Sequence, residues 1–228
     1  GSAETLAEGA LQDPVSAARF VSVIQTHALR LTALLDDLLD LSRLESDELV
    51  IDVQTHSLAN IVDTAVVAVE EVRAGKRIEI GLQMEDQFME VRCDRQLIEQ
   101  ALINFVDNAI KYTPDAGQIT IRARHVDASS IPSQLDTHHL RLGTGVAGTT
   151  SGKVFLEVLD SGIGIPSDVL ERVFERFYRV DKGRSRLIGG TGLGLAIVRH
   201  TLALHGEFVF ADSELGRGSA FGFTLSVP

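Results

Sequence analysis

The sequence predicts an α+β fold: a two-layer α/β sandwich, with a mixed sheet covered by helices on one face, preceded by one long helix. Three observations carry this. Residues 15–45 hold apolar side chains at helical spacing without interruption. Farther on, short alternating apolar runs are separated by helix-length amphipathic runs. The chain then closes on two alternating runs, 207–211 and 219–227, flanking Gly216 and Gly218 as the strands of a hairpin do.

In order along the chain, residues 3–12 read as a short helical remnant ending near Gly9, and Asp13 with Pro14 restarts the chain. On the long helix, Phe20, Ile24, Ala28, Leu31, Leu35 and Leu38 form a stripe that Val21, Leu34, Leu41 and Leu44 widen. No other stretch offers a helix of similar length, so the stripe asks for a partner from a second copy; left bare it would aggregate. Residues 49–53 alternate like a short strand, and 58–72 read as a helix with Ile61, Ala65, Val66 and Val69 inward. Residues 77–82 and 88–92 read as strands. Asp94 is an N-cap for the next helix, on which Leu97, Ile98, Ala101, Leu102, Phe105, Ala109 and Ile110 recur at helical spacing. Gln118–Val126 is a strand with Ile119, Ile121 and Ala123 on one face, and 154–159 is another. Residues 166–176 and 193–205 are helices, the second stopped by Gly206. The polar stretch 124–153 has little periodicity and is expected to be a mobile insertion. Within it, Gly143, Gly145 and Gly148 match the dinucleotide fingerprint G-x-G-x-x-G, but no buried strand precedes them and no apolar helix follows, which makes the match a decoy.

Composition narrows the function. The 228 residues suffice for one substantial domain plus a smaller element, and an apolar share of 44% supports a real core. A net charge of −11 argues against a nucleic-acid backbone as partner, so any anion site must be local. Cys93 is the only cysteine, which rules out an intrachain disulfide and reads as core filler beside a strand. No apolar run approaches the ~20 residues that span a bilayer, and no signal peptide is visible. Gly1 and Ser2 look like the scar of a cleaved tag, which suggests a piece of a longer protein.

Four stretches carry chemistry. Asn104, Asn108 and Lys111 lie four and three apart on the polar face of their helix, in one row. Amide oxygens suit Mg²⁺ and an ammonium suits phosphate, although a wet helix face would have the same pattern. Asp160 ends a strand and opens a D-x-G-x-G turn with Gly162 and Gly164; such a carboxylate can accept a hydrogen bond from an exocyclic amine such as that of adenine. Gly189, Gly190, Gly192 and Gly194, with Thr191 and Leu193, run into an apolar helix, so bare N–H groups at a helix N-terminus form a phosphate cradle. Between these turns, Arg176, Arg179, Lys182, Arg184 and Arg186 face one acid, Asp181, and supply the local positive field; Phe174 and Phe177 are expected to anchor that segment on the core.

Taken in this order, the four stretches resemble the N, G1, F and G2 boxes of the ATP-binding domain of sensor histidine kinases, within the GHKL superfamily that includes gyrase B and Hsp90. The run from Leu38 to Glu45 resembles the end of the second helix in that family's dimerisation and phosphotransfer hairpin, and 178–186 is similar to the phosphate-regulon sensor subgroup. The resemblance implies the Bergerat-type sandwich, with 1–47 a truncated hairpin, 48–228 the catalytic domain and 47–49 the hinge between them. It implies ATP and Mg²⁺ as cofactors, with Asn108 a metal ligand and Asn104 in the same site. Lys111 would meet the phosphates, Tyr112 lie along the adenine and Asp160 take its amine, with Gly162 and Gly164 shaping that pocket. Gly190, Gly192 and Gly194 would form the lid hinge at the phosphates, with Thr191 and Leu193 also binding the nucleotide, and Arg179 or Lys182 would reach the γ-phosphate.

The ATPase branch of the superfamily places a glutamate where Asn104 stands, four residues before the metal-binding Asn108. An amide cannot take a proton from water, so transfer to a protein nucleophile is favoured over hydrolysis. The alternatives are a nucleotide-binding pseudokinase or scaffold, or a GHKL ATPase. The acceptor box of the family reads roughly H-E-x-x-x-P. His27 resembles it only superficially, because Ala28 replaces the acid and Thr32 the proline; the acceptor is therefore expected upstream of Ala3, and this chain is not expected to phosphorylate itself. His56, His125, His138, His139, His200 and His205 have no such context. The partners implied are a second copy through the hairpin and a response-regulator receiver domain, in the cytoplasm, with a membrane-anchored sensor as the possible parent.

Overall fold

The computed structural model describes residues 13–46, 49–127, 152–180 and 190–228, and the backbone of Leu140–Leu142. Helix α1, Pro14–Leu44, begins where Asp13 accepts from the N–H groups of Val15 and Ser16 and Pro14 fills the first turn. Then follow β1 (Gln54–Ser57), α2 (Leu58–Ala68), α3 (Glu70–Arg73), β2 (Glu79–Met84), β3 (Glu90–Cys93) and α4 (Arg95–Tyr112). The second half holds β4 (Gln118–Val126), β5 (Leu140–Leu142), β6 (Lys153–Asp160), a 3-10 helix (Ser167–Phe174), α5 (Gly194–Leu204), β7 (Val209–Glu214) and β8 (Gly218–Ser226).

The sheet runs β1-β3-β8-β6-β4-β2, with β7 also paired to β8 and β5 to β7. Only β2 and β4 are parallel among the pairs described, so the sheet is mixed. Alternation along the central strands sends Val154, Leu156 and Val158 of β6 and Ile119, Ile121 and Ala123 of β4 to the helix-covered face. There they meet Leu58, Ile61, Val62 and Ala65 of α2 and Ala101, Leu102, Phe105 and Val106 of α4. The opposite face carries a smaller aromatic cluster, in which Phe155 meets Phe210 edge-on with ring centroids 5.3 Å apart. Cys93 is buried and free, and burial pushes its thiol up to about 12, which leaves it an inert core group.

Four sequence expectations are corrected. Residues 49–53 are not a strand; the pairing starts at Gln54, and Leu49 instead packs beside Leu41 and Leu44 of α1. The helix expected over 58–72 breaks at Val69 into two pieces. Residues 167–174 wind as 3-10 turns rather than an α-helix; three residues per turn put Leu170 and Val173 on one buried edge. Phe174 is fully buried as expected, but Phe177 has a positive φ and is 60% exposed, so it anchors nothing. The insertion contains one short strand, β5, on the edge of β7. The remnant 3–12, Asp47, the decoy glycines 143–148 and His138 with His139 lie outside the described residues.

The apolar stripe of α1 is split. Leu41 and Leu44 are buried against Leu193 and Ile197, with Leu34 alongside, so the C-terminal end of α1 docks on α5 of the same chain. Val21, Leu31, Leu35 and Leu38 are left exposed. Glu45, the C-cap, seals the docked end by pairing with Arg176 and with His200, whose Nε2 lies 3.2 Å from the carboxylate. His205 joins two other elements: its Nδ1 is 2.7 Å from the Thr201 carbonyl and its Nε2 accepts from the Asp94 N–H at 3.0 Å.

One charged pair is sealed at the end of the sheet. Lys153 Nζ donates to Glu207 at 2.6 Å and to Ser226 Oγ at 3.1 Å, while Thr224 and Ser226 donate to the same carboxylate. Each formal charge is met by hydrogen bonds, which is the condition under which such a pair is tolerated. Replacing Lys153 by Met strands the Glu207 carboxylate, and denaturant unfolding should show a loss of about 3–5 kcal/mol; adding Glu207→Leu to that variant should restore most of it.

Candidate functional site

Helix α4 has two unlike faces. Asp94 caps it, accepting from the Leu97 N–H through one carboxylate oxygen and from the Asp52 N–H through the other. Ala101, Leu102, Phe105, Val106, Ala109 and Ile110 are buried on the sheet side. Asn104, Asp107, Asn108, Lys111 and Tyr112 are half-buried on the other side, where they line a cavity of about 350 Å³. The polar row expected from the spacing therefore does stand over a concave space.

The opposite wall comes from two turns. Asp160 ends β6 at one side of the cavity, with Gly164 beside it; its carboxylate accepts from the Gly162 N–H at 2.7 Å. Burial pushes the Asp160 carboxyl up to about 6, against the pull of the Gly162 and Ser219 N–H groups. Gly162 sits behind the wall rather than in it: a Cβ there would fall 2.5 Å from Asp160 Oδ1 and 2.8 Å from the Tyr112 carbonyl. At the other end, Gly190, Thr191, Gly192 and Gly194 line the cavity as they lead into α5. Gly194 is held against α4, since a Cβ on it would come 2.9 Å from Asn104 Oδ1. Leu193 points the other way, into the cluster under α1. Arg179 lines the cavity, whereas Lys182, Arg184 and Arg186 lie outside the described residues.

Two features were missed in the sequence. Lys111 Nζ is paired with Asp107 at 2.5 Å, a contact the i,i+4 spacing announces. Ala33 and Asp37 of α1 also line the cavity, and no local signal could have put them there. The Asp37 side chain is hydrogen-bonded to Thr191; burial raises its pKa, while Thr191 and the charge of Lys111 lower it.

Chemically, the cavity joins two carboxamides, an ammonium, an arginine, a helix N-terminus and a carboxylate whose charge burial disfavours. Asn104 Nδ2 is buried with no hydrogen-bond partner, and amide nitrogen and oxygen exchange by a simple flip, so this carboxamide is poised for a group that is not protein. Hard oxygen donors beside cationic ones suit a divalent ion with phosphate oxygens. The residues present fit a magnesium nucleotide.

Residues 93–228 match the family described as histidine kinase-, DNA gyrase B- and HSP90-like ATPases. The chain is 34% identical over 222 residues to the sensor histidine kinase WalK of Bacillus subtilis, spanning 97% of this chain and 33% of that protein. It is 35% identical to the sensor-like histidine kinase SenX3 of Mycolicibacterium smegmatis over 231 residues, spanning 53% of that protein. The chain thus spans between a third and about half the length of these curated relatives. Full-length ShkA in complex with AMPPNP superposes with a TM-score of 0.69 at 24% identity, covering 93% of this chain and 39% of ShkA. The histidine kinase ThkA in complex with the response regulator TrrA gives 0.67 at 23% identity, covering 95% of this chain and 53% of ThkA. At those identities the two structures speak to the fold.

The Asp160 carboxyl makes a measurable demand on stability. A folded pKa of about 6, above the ordinary 3.8, means that its contribution is intact below pH 4 and is lost as pH rises through 6. Asp160→Asn should therefore stabilise the ligand-free chain above pH 6, by roughly 1–3 kcal/mol, with the gain gone near pH 4. Thermal melts across that range check the sign.

Proposed function

The chain belongs to the histidine kinase-, DNA gyrase B- and HSP90-like ATPase family, and from that premise we propose that it is the ATP-binding, phosphoryl-transferring part of a sensor histidine kinase. In this reading 48–228 is the catalytic domain and α1 the second helix of the dimerisation hairpin. The observation that carries it is the convergence of Asn104, Asn108, Lys111, Asp160 and the N-terminus of α5 on one cavity.

Asp160 accepts the adenine amine, and Tyr112 lies along the ring. Lys111, held by Asp107, keeps two further N–H donors for phosphate oxygens. The N–H groups entering α5 and the Arg179 guanidinium complete the cationic end; Lys182 shares that role by sequence alone. Asn108, with Asn104, would hold Mg²⁺ through amide oxygens, and the ion would supply positive charge to offset that of the phosphates. Asn104 cannot act as a base toward water, which disfavours the gyrase-like ATPase reading. The acceptor is a histidine outside these residues: His27 is exposed on α1 with neither acid nor proline in place. The relay then passes to a response-regulator receiver domain, as the ThkA–TrrA pair suggests by analogy. The exposed Val21, Leu31, Leu35 and Leu38 form the seam for a second copy. A cytoplasmic location follows from the use of ATP; among the described residues no helix is long and apolar enough to cross a membrane.

Calorimetric titration with MgATP should give one site per chain, weakened about tenfold or more by Asn108→Ala, the worth of one charge-assisted contact. A heatless titration of the unaltered chain would end this reading. Incubation with γ-labelled ATP should leave the chain unlabelled, and label on His27 would overturn the placement of the acceptor. Asp37 sets a carboxylate beside Lys111 and Thr191, against an incoming polyphosphate. Asp37→Ala should therefore tighten ATP by roughly threefold to tenfold while leaving adenosine nearly unchanged.

A further inference from the structure

We infer that Lys76 is a positioning residue of the nucleotide site, its ammonium fixing the C-terminal end of the helix that carries Asn104, Asn108, Lys111 and Tyr112. Lys76 lies in the turn between α3 and β2 and does not line the cavity. Its Nζ donates to three main-chain carbonyls: Ile110 at 2.6 Å, Lys111 at 3.0 Å and Thr113 at 2.9 Å. An ammonium has three N–H bonds, so every donor is committed to this helix end.

The end of α4 needs such a partner. Pro114 forces Thr113 into extended backbone, and Thr113 rather than a left-handed glycine is the C-cap. The last carbonyls must then find donors elsewhere. The Ala109 carbonyl takes the Thr113 N–H at 2.9 Å, and the Tyr112 carbonyl takes the Ile163 N–H at 3.3 Å. Lys76 takes the other three, and its charge sits at the negative end of the helix dipole. The neighbouring residue locks the turn in place, since Arg77 holds Asp115 through its backbone N–H at 2.8 Å and its guanidinium at 2.6 Å. Burial lowers the Lys76 pKa, as expected for an ammonium taken out of water onto carbonyls.

What this end positions is the site itself. Lys111 and Tyr112 are cavity residues, and the Tyr112 carbonyl is tied to the turn that follows Asp160. A helix end released from Lys76 can shift both against Asp160, and nucleotide binding depends on their alignment. The inference rests on reading the cavity as a nucleotide site.

The test separates positioning from plain stabilisation. MgATP and MgADP affinities are measured for the unaltered chain and for Lys76→Met and Lys76→Ala, well below the melting temperature of each and with the far-UV spectrum as a check on folding. Both variants should bind both nucleotides about tenfold or more weakly, by equal factors, since Lys76 touches no phosphate. In Lys76→Ala, propylammonium should restore most of that affinity, whereas tetramethylammonium, which has no N–H to donate, should not. Folded variants with unaltered affinity overturn the inference, as does propylammonium that raises the melting temperature without restoring binding. Should both variants fail to fold, Lys76→Gln and Lys76→Arg decide by the same comparison: unaltered affinity in both overturns it. Absence of binding by the unaltered chain would instead defeat the nucleotide reading.

Discussion

Helix α4 must satisfy two solvents at once. One face is pressed dry onto the sheet through Ala101, Leu102, Phe105, Val106 and Ala109; the other holds Asn104, Asn108 and Lys111 over a cavity. A rigid helix transmits the constraint, because sealing the apolar face fixes the rotation of the polar one. The rest of the molecule serves that rotation. Asp94 fixes the first turn and receives the chain arriving from α1 through Asp52. Lys76 and the Ile163 N–H hold the last turn, while Gly194 lets α5 come close enough to Asn104 to close one end.

The cavity stores free energy that the fold supplies elsewhere. Asp160 is kept in a place where its charge is disfavoured, and the amide of Asn104 is buried without a partner. Each is a penalty that a complementary ligand would relieve, which is how a site gains selectivity. Lys153 and Glu207, buried at the far end of the sheet, show the opposite solution: charges fully met by protein groups, with nothing left for a ligand. Burial alone thus does not mark the site.

The long helix links recognition to architecture. Its last turns lie on α5 through Leu41, Leu44, Leu193 and Ile197, with Glu45 gripping Arg176 and His200, and this docking brings Asp37 to Thr191 at the wall of the cavity. The same helix leaves most of its apolar stripe uncovered. One element therefore lines the cavity on one side and leaves an apolar stripe exposed on another, so a shift of the helix would move both.

The sequence alone determined the layers, because alternation in Gln118–Val126 and helical spacing in 94–112 are read from neighbours along the chain. It also determined the chemistry at most of the cavity wall: Asn104, Asn108, Lys111, Asp160, Thr191 and the glycines all stand where local pattern put them, Leu193 turning inward and Gly162 standing behind. Tertiary structure decided the rest. Asp37 meets Thr191 some 150 positions farther along the chain, and Lys76 meets Ile110 34 positions on, so no local window contains either pair. The exposure of Phe177 and the 3-10 winding before it were likewise set by the backbone of Gly192, whose carbonyl takes the Phe177 N–H, and by packing on the sheet. Periodicity records which face of an element is dry; only the folded chain records which distant group arrives to meet it.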